Sequence, residues 1–233
     1  MDRLEAATVL HERGDDEGAA RLLEQARAED PKAFEPLWRQ AYHRVVLANR
    51  IPDRKARAAR VQSLLPQIDT LLRGHGDQAD TWFVAALASG IQSTTVAPRR
   101  RVELSKQVRE RIERCLGRDP AHPGAWFLLG RWHEGFATLN PVERTFVDLL
   151  LGGMPEGASL DSARLALERA DRLRPDDLQI LSDLVRVLAL QGRTDKARLL
   201  AKRSLNVPPR HDADRRVLES LRVVARGPTG GGT

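Results

Sequence analysis

Cysteine is nearly missing: one residue, Cys115, in 233. That excludes an internal disulfide framework, and with nothing beside it in sequence to activate it, Cys115 reads as a buried structural thiol. Aromatic residues make up only 4% of the chain, β-branched residues are sparse, and no segment sustains period-two alternation. Sheets are therefore not expected. No apolar run is long enough to cross a bilayer: the longest, residues 82–97, is interrupted by Ser89, Gln92, Ser93, Thr94 and Thr95. The start, Met1-Asp2-Arg3-Leu4-Glu5, is charged and has no signal-peptide apolar core, so a cytoplasmic protein or a trimmed soluble fragment is expected. Catalytic patterns are absent as well. There is no P-loop, no Gly-rich dinucleotide turn after a strand and no G-x-S-x-G elbow. Six histidines occur, yet none pairs with another at a helical metal spacing, and His133-Glu134 lacks the second histidine of a zinc-protease helix. The expectation is a non-enzymatic protein with no cofactor and no metal. Lysine is scarce too, 5 against 33 arginines, a skew that points to a GC-rich bacterial source more than to a ligand.

What the chain does contain is repetition. Trp126, Leu129, Gly130 and His133 fit W-x2-L-G-x2-Y, with His in the Tyr place; Ala163, Leu167, Ala170 and Pro175 fit the A-x3-F, small-residue and Pro half, with Leu for Phe. Together these are the two helices of a tetratricopeptide repeat, separated by roughly twenty more residues than a 34-residue unit allows. Pro175 to Pro209 and Ala163 to Ala197 are both 34 residues, and Trp38, Trp82 and Trp126 follow one another at 44. Gly14, Ala19, Leu23, Ala26 and Pro31 make a similar turn and second helix near the start. The fold expected is all-α: a right-handed tetratricopeptide-like helical solenoid with two elongated repeats and an inserted short helix, forming a single domain over residues 1–226. A break or kink is expected at Pro66 inside the fourth helix.

The insertion, residues 139–158, has its own helix signals. Asn140 suits an N-cap, Pro141 the first turn and Glu143 the returning half of a capping box. Val142, Phe146, Leu149 and Leu150 then fall on one face, which predicts a short helix docked through Phe146, Leu149 and Leu150. From Gly227 the tail is Gly-rich, and residues 227–233 are expected to be disordered.

Leu129-Gly130-Arg131-Trp132, Glu143-Arg144, Leu151-Gly152, Pro155, Ala158-Ser159 and Ala163 resemble the core signature of the regulator of microtubule dynamics family. Leu37-Trp38-Arg39, Trp82-Phe83 and Asp119-Pro120 sit where that family places equivalent residues, and the similarity covers roughly residues 5–206. The resemblance implies an all-helical interaction domain in a soluble, bacterial-type member. Animal members associate with microtubules, and one tethers organelle membranes and binds phospholipid through its repeat domain; no segment here reads as the transmembrane anchor of such tethers.

Two surfaces are candidates for binding. Projecting the inner face from the Trp positions gives Arg39, His43 and Leu47, then Phe83, Leu87 and Ile91, then Phe127 and Arg131, then Ser182 and Arg186. This is an apolar middle with cations at its margins, suited to a protein segment held by a non-catalytic adaptor or, alternatively, to a phospholipid or fatty-acyl chain. The second is a basic edge: Arg54, Lys55 and Arg57 at one turn, Arg99, Arg100 and Arg101 at another 45 residues on. It would attract acidic partners or a membrane surface. Nucleic acid ranks last, because no aromatics interleave with these charges.

Overall fold

The computed structural model describes residues 2–151, 153–210 and 212–227. Among them the chain forms twelve α-helices and no strand: α1 (Arg3–Glu12), α2 (Asp16–Glu29), α3 (Phe34–Asn49), α4 (Arg54–Gly74), α5 (Ala79–Ser93), α6 (Pro98–Leu116), α7 (Pro123–Ala137), α8 (Pro141–Leu151), α9 (Leu160–Leu173), α10 (Leu178–Leu190), α11 (Thr194–Ser204) and α12 (Asp212–Arg226). Several starts are capped by a side chain that accepts from an otherwise unpaired backbone N–H: Asp2, Asp15, Asp53, Ser159 and Asp177 all serve. Gly14 (φ 83°) and Gly192 (φ 72°) end two helix-to-helix turns in the left-handed region, where a side chain would be strained.

The helices pack as the pairs α1/α2, α3/α4, α5/α6, α7/α9 and α10/α11, with α12 against α10 and α11. The first helices α3, α5, α7, α10 and α12 also touch one another in order, so they form one layer and the second helices the other. The apolar stripes meet between the layers. Leu37, Val45, Val61, Ile68, Leu71 and Val84 form one core cluster, Val108, Ile112, Cys115 and Leu128 the next, and Leu167, Leu184, Val187 and Leu221 a third. Burying one such side chain contributes about 1.5–3 kcal/mol, which is what holds neighbouring repeats in register. The Leu-Gly pair at 129–130 has a steric reason: a Cβ at Gly130 would lie 2.6 Å from Leu167 Cγ and 3.2 Å from the Ala163 carbonyl. Only glycine lets α7 and α9 approach this closely.

Two expectations need correction. No break occurs at Pro66: α4 runs on through this residue, which is exposed and so gives up its one backbone bond where water can replace it. α8 is present and its capping box is formed, with Glu143 N donating to Asn140 Oδ1 at 2.9 Å and Asn140 N to Glu143 Oε2 at 3.1 Å. Its docked face is a different one, however. Val147 is buried against Val102 and Phe136, while Phe146 and Leu149 are exposed. α8 lies across α6, where Arg101 approaches Glu143 at 3.9 Å. That crossing turns the Glu143–Val147 face inward and leaves Val142, Phe146 and Leu149 to solvent. The side chain of Leu150 lies outside the described residues, as does the tail beyond Gly227.

The array curls enough for its ends to meet. Arg210, in the connection before α12, brings Nη1 to 3.9 Å from Glu12 Oε1 of α1. Among the described residues no helix is long and apolar enough to cross a membrane.

Candidate functional site

The first helices, expected to line the inner face, carry side chains that meet from one pair to the next. Tyr42 on α3, Phe83 on α5 and His122 at the start of α7 form a run of rings, with centroids 5.7 Å and then 4.7 Å apart. His122 is held as an N-cap, its Nδ1 accepting from Ala125 N at 3.0 Å and its Nε2 lying 3.3 Å from Asp80 Oδ1. Phe83 lies against Gly124, where an added Cβ would sit 2.5 Å from the ring. Burial pushes the Tyr42 phenol above its ordinary range; Arg174 and Asp177, from the α9–α10 turn, act on it in opposite senses.

Beyond Phe127 the face turns from apolar to charged. Arg186 of α10 donates two hydrogen bonds to the Glu134 carboxylate of α7, at 2.5 and 2.7 Å, and reaches Asp183 Oδ1 at 2.9 Å. Arg131 stands over the Phe127 ring at 5.7 Å and 3.5 Å from Asp183 Oδ2, an oxygen with no hydrogen-bond donor. Burial pushes the Asp183 carboxyl up even though two guanidinium groups lie beside it. Arg186 is held charged, chiefly by its bonds to Glu134. Breaking such a pair leaves the buried Glu134 uncompensated, so these charges fasten α7 to α10 as much as they decorate a surface.

The residues projected onto the groove divide into two groups. Leu47, Phe83, Leu87, Phe127 and Ser182 are half-buried, and Arg131 and Arg186 are exposed. His43 and Ile91 are buried, at 3% and 5% exposure, and belong to the packing beneath the face. Arg39 pairs with Glu35 at 2.8 Å. Sequence reasoning missed Tyr42, His122, Glu134 and Asp183. Asp183 carries a signal that could have found it: it is the one charged residue in an apolar run from Leu178 to Val185.

At the basic edge, Arg54 Nη2 donates to the Val96 carbonyl at 3.1 Å, which joins the α3–α4 and α5–α6 turns. Lys55 is exposed and Arg57 half-buried. The second cluster is largely neutralised by acidic neighbours: Arg99 and Arg100 face Glu103 at 3.9 and 2.7 Å, and Arg101 faces Glu143. A hollow of about 560 Å³ opens beside the insertion, lined by residues including Arg144, Met154, Ser159, Asp161 and Arg193.

The interrupted repeat and its capped insertion are matched by a family model. Residues 3–226 fit that of regulator of microtubule dynamics protein 1-3. The chain belongs to this family. No curated protein matches it by sequence. Among solved structures, a thermophilic tetratricopeptide-repeat protein from Thermus thermophilus is similar over 94% of this chain and 97% of that one, with 20% identity and a TM-score of 0.66. At that identity the likeness establishes the shared fold alone. MamA from Desulfovibrio magneticus covers 91% of this chain and 98% of its own at 15% identity, but its TM-score of 0.43 is too low to inform the site. For this regulator of microtubule dynamics member the comparisons thus agree with the layer of paired helices on the family and the fold.

Proposed function

We infer that this chain is a non-catalytic interaction scaffold that holds a segment of a partner protein along the inner face of its first helices. The observation that carries the reading is the state of the inner-face charges. Arg39, Arg131 and Arg186 each already face a carboxylate. An anionic lipid head would therefore meet cations already compensated by their own carboxylates and gain less from them than from free guanidinium groups. A polypeptide meets the same face without depending on net positive charge. Its side chains pack on Tyr42, Phe83, Leu87 and Phe127, and its backbone carbonyls offer acceptors for the exposed Arg131 guanidinium.

The test places a photo-crosslinking residue at Leu87 or Arg131 on the inner face, and at Leu199 on the outer surface of α11 as a control. The expected result is one discrete protein adduct from both inner positions and none from Leu199, mapped to a single segment of the partner. Adducts from Leu199 alone would overturn the reading. So would near-stoichiometric lipid released from the native protein on denaturation, which would assign the inner face to an acyl ligand.

A further inference from the structure

The N-terminal repeat holds a cluster that no spacing rule reveals, because its members come from three helices. His11 lies in the last turn of α1, Asp16 opens α2, and His43 sits midway along α3. His11 Nδ1 is 2.8 Å from Asp16 Oδ1, and His43 Nε2 is 3.6 Å from the same oxygen. One donor atom from each residue lies within 4.8 Å of the others. The two imidazoles meet edge to face, 5.1 Å between centroids. His43 is buried at 3% exposure, and its Nε2 has no hydrogen-bond partner although it points at this cluster. A buried, unpaired nitrogen of that kind costs about 1–3 kcal/mol unless something satisfies it.

We propose that His11, Asp16 and His43 form a binding site for a zinc-class divalent transition-metal ion. Two imidazoles and one carboxylate are the donor set such ions accept, with a fourth position left for water. With bonds of about 2.0–2.1 Å and tetrahedral angles, ligand atoms in a zinc site stand about 3.3 Å apart. The two separations from Asp16 Oδ1 fall on either side of that value, and the His11–His43 pair, within 4.8 Å, settles to it by rotation of the partly exposed His11 ring. Arg50 supplies the outer support, its guanidinium bonding Asp16 Oδ2 and so presenting Oδ1 alone to the site. Its positive charge also weakens the site relative to one with a neutral outer partner. His11 and Asp16 are each about one-fifth exposed, so an ion can enter from the surface.

The place in the fold supplies a second reason. α1 buries one residue, Ala7, and α2 buries only Gly18, Ala19 and Leu23. This pair therefore has a thin apolar attachment to the array. An ion shared by α1, α2 and α3 would clip it to α3, and the binding free energy would add directly to the stability of that end.

The experiment uses the full chain after chelator treatment, titrated with Zn2+ by calorimetry and with Co2+ by visible absorption. One ion per chain is expected, with the Co2+ ligand-field bands of a four-coordinate site and a higher melting temperature in Zn2+. His11→Gln, at the partly exposed end of α1, is expected to weaken binding by at least about tenfold, as even the loss of an outer-shell partner does. His75→Gln, outside the cluster, is expected to bind as the parent chain does. His43→Gln is read only at unchanged helicity, so His11→Gln decides the matter should that variant unfold. Absence of saturable one-to-one binding in the parent chain, or binding undiminished in His11→Gln, would overturn the proposal. Either outcome leaves the inner-face reading intact, since Leu87 and Arg131 lie on other helices.

Discussion

Trp38, Trp82 and Trp126 occupy the same place in three successive helix pairs, yet they are not equivalent. Trp82 Nε1 donates to the Gly76 carbonyl at 2.7 Å and Trp126 Nε1 to the Pro120 carbonyl at 2.9 Å, each closing the turn six residues back. Trp38 Nε1 is buried without a partner. Four residues on from each Trp the contrast repeats. Ala86 and Gly130 are buried small residues that let α5/α6 and α7/α9 pack densely, while α3 carries Tyr42, its ring turned towards Phe83, and packs less closely on α4. The same helical unit can thus use its Trp+4 position in two ways. A small residue joins the two helices of a pair, and a large one reaches along the inner face to the next pair. The α3 repeat gives up internal packing and provides part of the candidate site.

Substitutions at Gly130 test that contrast most severely. Gly130→Ala is expected to destabilise the chain by about 2–3 kcal/mol, since the new methyl meets Leu167 and the Ala163 backbone. Five residues later on the same helix, Gly135 has open space around it, and Gly135→Ala is expected to stabilise by about 0.5–1 kcal/mol. Chemical denaturation of both variants measures the pair; equal effects would mean that close approach is not what Gly130 provides.

The tryptophan contrast is smaller. Removing the indole donor by Trp82→Phe or Trp126→Phe is expected to cost about 1–2 kcal/mol, because a native bond is lost. Trp38→Phe removes an N–H that has no partner, so its cost should fall below both. Equal losses at all three sites would show that the Trp38 indole finds a partner in solution.

The Trp+7 positions, Val45, Ser89 and His133, sharpen the comparison through pH. His133 is buried at 7% exposure, with Arg109 Nη1 3.3 Å from its Nε2. Burial first, and then the Arg109 charge, push its pKa down to about 4, while the Gly157 backbone acts the other way. A base whose folded pKa lies below its ordinary 6.5 stabilises fully above that pH. Its contribution is therefore lost as pH falls from about 6.5 towards 4. His133→Gln is expected to flatten the stability profile over that window; an unchanged slope would place the acid sensitivity elsewhere.

The sequence by itself determined the helices and their pairing. The recurring Trp, Gly, Ala and Pro positions and the capping residues act through neighbours within one or two turns, and a helix forms largely from such local terms. The 129–130 Leu-Gly pair, the Asn140–Glu143 box and the buried Cys115, whose thiol burial pushes up to about 12, were legible for that reason. Only the tertiary structure decided which face of α8 docks, since a stripe of Phe146 and Leu149 says that a helix is amphipathic but not what lies beneath it. It also decided that Arg186 is committed to Glu134, 52 residues away, and that His11, Asp16 and His43 converge. Those contacts depend on the angle at which successive helix pairs stack. That angle is set by the summed packing of many buried side chains, and no single residue spells it out.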